Sequence, residues 1–159
     1  MHNSRFVVLE GDEYDSAFFD KRSKFLHYLP ELVIVNNIEF DHADIFASLE
    51  EIKVSFRRLL DIVPENGMVL INGDDPNCVE VAEKCRAQLV EAGFSPNAAR
   101  HIRDVRYDQF GSEFTLLETR FSLPLVGEYN VRNAAMAASA AHFYGVPLQA
   151  IAKAIADFK

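Results

Sequence analysis

The chain has 159 residues, 49% of them hydrophobic, which suffices for one buried core and matches the size of a single domain. Its formal net charge of −8, with no run of Lys or Arg, argues against a nucleic-acid or anionic-membrane surface. Met1-His2-Asn3-Ser4-Arg5 lacks the apolar stretch of a secretory signal, so the expected compartment is the cytoplasm, with Cys78 and Cys85 as reduced core thiols on one helix face.

Phe6-Val7-Val8-Leu9 reads as a first buried strand, running into the acidic cluster Glu10-Gly11-Asp12-Glu13-Tyr14-Asp15. Residues 18–25 mix aromatic and basic side chains without a clean period and read as a structured loop. Leu32-Val33-Ile34-Val35 is the next strand, ending in Asn36-Asn37-Ile38-Glu39-Phe40-Asp41-His42. Continuous apolar runs of this kind are strands covered on both faces, and their carboxyl ends border the crevice where open α/β sheets bind ligands. A carboxylate and an imidazole delivered there from two strands make a candidate divalent-cation site.

Ser48, with Glu51 three residues on, forms a capping box, and Leu49, Ile52, Phe56, Leu59 and Leu60 give residues 48–62 one apolar helical face. Pro64 and Asn66-Gly67 stop that helix, and Met68-Val69-Leu70-Ile71 is a further buried strand ending in Asn72-Gly73-Asp74-Asp75-Pro76. Asp75 as N-cap and Pro76 at the first helical position open another helix, with Val79, Ala82 and Cys85 facing inward. Gln88-Leu89-Val90-Glu91-Ala92 could extend the helix or form a strand; the strand is preferred, since strands alternating with helices make βαβ units. From about residue 98 to 125 partial alternation predicts a small antiparallel ribbon. An Ala-rich helix follows over about 130–144, broken at Gly145-Val146-Pro147, then a second with Leu148, Ile151, Ile155 and Phe158 on one face. Residues 133–152 carry no formal charge, but the dominance of Ala and the interruptions at His142, Gly145, Pro147 and Gln149 favour two packed helices over a membrane span. The fold class is thus α/β, a mainly parallel sheet with flanking helices plus an antiparallel ribbon.

Taken singly, each polar candidate has a plain structural reading. Glu10 can cap a loop, His42 can be a satisfied structural histidine, and Asn130 or Asn133 can cap a helix. Asn72, Asp74 and Asp75 are the residue types that turns and caps favour.

Four segments in order, Glu10 to Asp15, Asn37 to His42, Asn72 to Pro76 and Gly127-Glu-Tyr-Asn-Val-Arg-Asn-Ala134, resemble the central domain of the Mur ligase family, ATP-dependent amide ligases of peptidoglycan synthesis. The stretches Asp12 to Phe25 and Glu39 to Phe46 are most similar to the branch that recycles a tripeptide onto UDP-N-acetylmuramate, and next to the branch that adds L-alanine. The resemblance implies that ATP phosphorylates a substrate carboxylate and that an amine attacks the acyl phosphate. It implies Mg²⁺ held by Glu10 and His42, with Asn37, Asp12 and Glu13 close by, and adenine contacted by Asn130 and Asn133. Hard Mg²⁺ prefers carboxylate oxygen, and an amide can both donate to and accept from a base edge. Tyr129 stands where relatives usually carry His, and Arg57 stands where some carry a carbamylated lysine, a modification that arginine does not take.

No Gly-x-x-x-x-Gly-Lys-Ser/Thr loop occurs among the seven glycines. In the family that loop precedes the segment matching Phe6, so the chain is expected to be a partial central domain. The phosphate loop, the N-terminal UDP-binding domain and the C-terminal domain are expected outside it, as structural partners. UDP-N-acetylmuramate and a peptide are the substrates implied for the parent, with no nucleic acid and no membrane as partner. The chain alone is expected to be inactive, because positioning supplies most of the catalysis in phosphoryl transfer. Two other classes are a stand-alone metal-dependent phosphohydrolase, for which no complete nucleophile set is found, and a non-catalytic α/β interaction fragment.

Overall fold

The computed structural model describes residues 5–11, 15–17, 20–41 and 45–158, with the backbone alone for 15–17 and 20–22. Its centre is a parallel sheet of four strands in the order β3 (Leu32–Val35), β4 (Met68–Asn72), β5 (Gln88–Gly93) and β6 (Arg100–His101). Before it come a short antiparallel pair, β1 (Asp15–Ala17) with β2 (Asp20–Ser23), and a 3₁₀ turn at Lys24–His27. After it, β7 (Arg103–Asp108), β8 (Gly111–Leu116) and β9 (Thr119–Leu123) form the antiparallel ribbon that the alternation predicts.

Strand β4 explains the continuous apolar run. Val69 and Ile71 point into a core shared with Ile52, Leu59 and Leu60 of α1 (Leu49–Asp61) and with Cys78 and Val81 of α2 (Pro76–Ala82). Met68 and Leu70 point the other way, toward Val90, Ala92 and Met136 of α3 (Glu128–Phe143). Alternate residues thus serve opposite faces, and each full burial is worth about 1.5–3 kcal/mol relative to exposure. A third core joins Ile102, Phe114, Leu116, Phe121 and Leu123 of the ribbon region to α3 and to Ile151 of α4 (Leu148–Ala156).

Helix α1 begins as its sequence dictates. The Ser48 hydroxyl accepts the Glu51 amide, and the Glu51 carboxylate reaches back to the amide of Ala47, one residue short of the reciprocal box. Its packed face also hides two polar residues that apolar spacing does not reveal. Lys53 is buried with its ammonium on Glu80 at 2.6 Å, and the Ser55 hydroxyl meets that of Ser23 at 2.6 Å. Arg57 sits on the other oxygen of Glu80 at 2.6 Å, so one carboxylate of α2 holds two cations of α1.

Several expectations need correction. Phe6–Leu9 is not a strand: it pairs with no described strand, and Val8 is 95% exposed. An apolar run becomes a strand only where a neighbour completes its ladder. Here only Phe6 finds a close aromatic partner, Tyr144 at the end of α3, with ring centroids 4.5 Å apart. Helix α2 is short, so Cys85 lies beyond it; Ala82 is buried as expected, but its buried companions are Cys78 and Val81, while Val79 and Cys85 are only partly buried against the same core. The segment read as a loop at 18–25 includes β2 and the first half of the 3₁₀ turn. Phe158 lies past α4 and is exposed. Among the described residues no helix is long and apolar enough to cross a membrane.

Candidate functional site

The carboxyl ends of β3, β4 and β5 are drawn together by the turn after β4. Asp75 caps α2 by accepting the Asn77 amide at 2.9 Å on one carboxylate oxygen. The other oxygen accepts the backbone amide of Ile38, 2.8 Å away in the loop that follows β3. Asn77 completes the link by donating its side-chain amide to the Ile38 carbonyl at 2.9 Å. Burial and the adjoining Asp75 carboxylate push the Cys78 thiol far above its ordinary pKa, so it stays a neutral thiol.

Asp74 ties the turn to the opposite neighbour. Its carboxylate accepts the amides of Phe94 at 2.8 Å and Ser95 at 3.1 Å, just past β5. Gly93 makes that approach possible, because a Cβ there would lie 2.7 Å from both carboxylate oxygens. Asn72 braces the same turn by accepting the Asp74 amide at 3.0 Å. The turn-and-cap reading of Asn72, Asp74 and Asp75 therefore describes them, with an addition: they fix the loops on both sides.

The start of α3 reaches this edge. Gly127 precedes the helix at φ 116° and ψ 153°, a region that side-chain-bearing residues rarely occupy, and it supplies no side-chain cap. Asn130 lies inside the helix, not at its cap, and donates its side-chain amide to the Val126 carbonyl at 2.9 Å. Asn133, one turn on, is exposed. The capping alternative for Asn130 is thus not the one adopted, and its amide is held in one orientation beside the sheet edge.

Arg132 connects the two structures, and sequence reasoning missed it. It is 8% exposed; its guanidinium bonds Glu128 at 2.8 Å and lies 3.8 Å from Asp74. It also stacks over the rings of Phe94 and Tyr129, at 5.1 and 5.9 Å to the centroids. The only signal available was an arginine just before the uncharged Ala-rich stretch, four residues after a glutamate.

The surroundings of the residues expected to hold a metal are more open. Glu10 is exposed in the irregular segment 5–11, and Asn37 is exposed with its amide on the Glu39 carboxylate at 3.2 Å. Asp12, Glu13 and His42 lie outside the described residues. Among the described residues, no three His, Cys, Asp or Glu side chains converge as a metal would require. Arg57 is engaged by Glu80.

Comparison with known proteins agrees with this geometry. The sequence pattern described as Mur ligase middle domain matches residues 1–141. The UDP-N-acetylmuramate--L-alanyl-gamma-D-glutamyl-meso-2,6-diaminoheptandioate ligases of Haemophilus influenzae and Escherichia coli are similar, at 39% and 40% identity. Each alignment covers 98% of the chain but 35% and 34% of the relative, so the chain spans about a third of the length of these proteins. A solved structure of the corresponding ligase from Neisseria meningitides superposes with a TM-score of 0.83 at 36% identity, over 94% of this chain and 47% of that one. With its parallel sheet, its ribbon and its four motifs in order, the chain belongs to the Mur ligase family, whose middle domain it matches over most of its length.

Proposed function

We propose that this chain supplies the ATP-binding part of an ATP-dependent carbon–nitrogen ligase that joins a peptide or amino acid to UDP-N-acetylmuramate, in peptidoglycan synthesis or recycling. The observation that carries the reading is the turn Asn72–Asp75, which fastens the loops after β3 and β5 at one sheet edge and brings the start of α3 to it. Strand ends at such an edge are where α/β proteins receive nucleotides. The relatives named above are ligases of UDP-N-acetylmuramate with a peptide.

In this reading Asn130 and Asn133 address the adenine edge. Asn130 is already oriented through Val126, so less rotamer freedom is lost on binding. The exposed carboxylate of Glu10 is a hard oxygen donor suited to Mg²⁺, with His42 as the second ligand and Asn37, Asp12 and Glu13 near them. When bound, Mg²⁺ supplies charge neutralisation between the ATP phosphates and the acceptor carboxylate. The phosphate-gripping loop and the flanking domains are assigned to segments beyond these 159 residues, and the protein to the cytoplasm.

Two measurements test the reading. Phosphate release from Mg-ATP with UDP-N-acetylmuramate and tripeptide should stay at background for the chain alone, and sustained turnover would overturn the assignment of the phosphate grip to another segment. Titration with ADP, followed by amide NMR, should move the signals of Asn130 and Asn133 first. Shifts confined to α4 would place the nucleotide elsewhere.

A further inference from the structure

Arg132 is a cation buried to nine-tenths on the packed face of α3, where the other buried residues are Val131, Ala134, Ala135, Met136, Ala138 and Ser139. Its Nε is buried without a hydrogen-bond partner. Burying a charge and leaving one of its donors unpaired costs stability that an apolar side chain of similar volume would not. What the guanidinium gains in exchange is reach. From one position it engages Glu128 and Tyr129 on the first turn of α3, Phe94 after β5, and the field of Asp74 in the β4–α2 turn. Lysine could not repeat this, because only the planar guanidinium stacks on two rings while it donates at its edge. The arrangement works as a rivet through three pieces of backbone, the start of α3 and two loops distant from it in sequence.

We propose that Arg132 is a positioning residue for the purine base. It locks the opening turns of α3, from which Asn130 and Asn133 project, against the sheet edge, and thereby sets how strongly the site prefers adenine over other bases. The proposal rests on the adenine reading of the two asparagines. It assigns no ligand contact to Arg132 itself. The first turn of α3 needs such a device, because Gly127 provides no side-chain cap. Base discrimination by paired amides depends on their placement, since a displaced amide leaves a polar edge unsatisfied for either base.

The test uses the full chain with Arg132→Met, Arg132→Lys and Glu128→Gln. Amide hydrogen exchange without ligand reads the lock directly. The amides of residues 131–133, the first in α3 with an acceptor in the preceding turn, should exchange about tenfold or more faster in Arg132→Met, as expected for loss of a charge-assisted bond, while β4 and β5 keep their protection. Arg132→Lys should recover part of that protection, and Glu128→Gln should lose less. Unchanged exchange over 131–133 overturns the proposal, and so does a uniform loss across the whole sheet.

With ADP and GDP as probes, the wild-type preference for ADP should fall roughly tenfold in Arg132→Met. Lysine should restore the local protection better than the base preference. A stability loss with the ADP-to-GDP ratio intact reduces Arg132 to a structural residue and overturns the positioning role. A wild-type chain that treats ADP and GDP alike overturns the adenine reading instead, an outcome separate from the exchange result.

Discussion

The two flanks of the sheet edge carry residues drawn from the same set of motifs but differ in how they are held. On the side proposed for the base, Asn130 sits in a sixteen-residue helix, its amide fixed by Val126, its backbone tied through Arg132 to two other loops. On the side proposed for the metal, Glu10 stands in an irregular, solvent-exposed segment. Sequence motifs record which groups the chemistry uses. They do not record whether the scaffold around each group is complete within the same stretch of chain. Placing a side chain takes packing and hydrogen bonds from residues far away in sequence, and the start of α3 has them in the form of Asp74 and Phe94, with Glu128 as a local partner.

The contrast can be broken most sharply at Asp75. Asp75→Ala removes the cap of α2 and strands the Ile38 amide, and should cost about 3 kcal/mol in urea unfolding. A loss below about 1 kcal/mol would mean that the turn does not hold the edge together. Gly93→Ala should follow at about 2 kcal/mol, since the new methyl collides with the Asp74 carboxylate in a strand with little room to yield. Nucleotide binding should weaken with it, and full stability would show that Asp74 can move aside freely.

A smaller, pH-dependent effect is expected behind the site at Glu80. The hydrogen bond from Lys53 holds its carboxyl below the ordinary 4.5. A depressed folded-state pKa adds stability above the unfolded value, and that stability disappears as pH falls through the folded value. The urea midpoint of wild type should therefore exceed that of Glu80→Gln at pH 7, and the gap should close below about pH 4. A gap that widens in acid would reverse the sign. Smallest of all is Val8→Ser, expected within about 0.5 kcal/mol of wild type because Val8 is exposed. A cost of several kcal/mol would restore Phe6–Leu9 as a buried strand.

How much was legible follows from the range of each interaction. The strand at 68–72 was readable because a run covered on both faces is apolar, and that at 32–35 as an apolar run although Ile34 is exposed. That at 88–93 was readable only from the alternation of strands and helices, since Gln88 and Glu91 interrupt it, and the starts of α1 and α2 because capping is local. The first apolar run misled because nothing in four residues states whether a ladder partner stands beside them. The phase of α2 was missed since seven residues define a face poorly once Pro76 sets the start. Lys53 was hidden because its partner Glu80 is on another helix, and Arg132 because two of its four neighbours, Phe94 and Asp74, are more than thirty residues away. Of the candidate site, Asn130 was read as either an adenine contact or a helix cap, and the structure puts it inside the helix rather than at its cap.

The split use of the Asp75 carboxylate also bears on how the chain assembles. One oxygen starts α2 and the other holds Ile38, so neither the helix start nor the loop after β3 reaches its final form without the other. Folding of this edge is then a single cooperative event, and the Ile38 amide becomes a reporter for a helix it does not belong to. Its exchange rate should follow every opening of the first turn of α2, even those that leave the β3–β4 ladder closed.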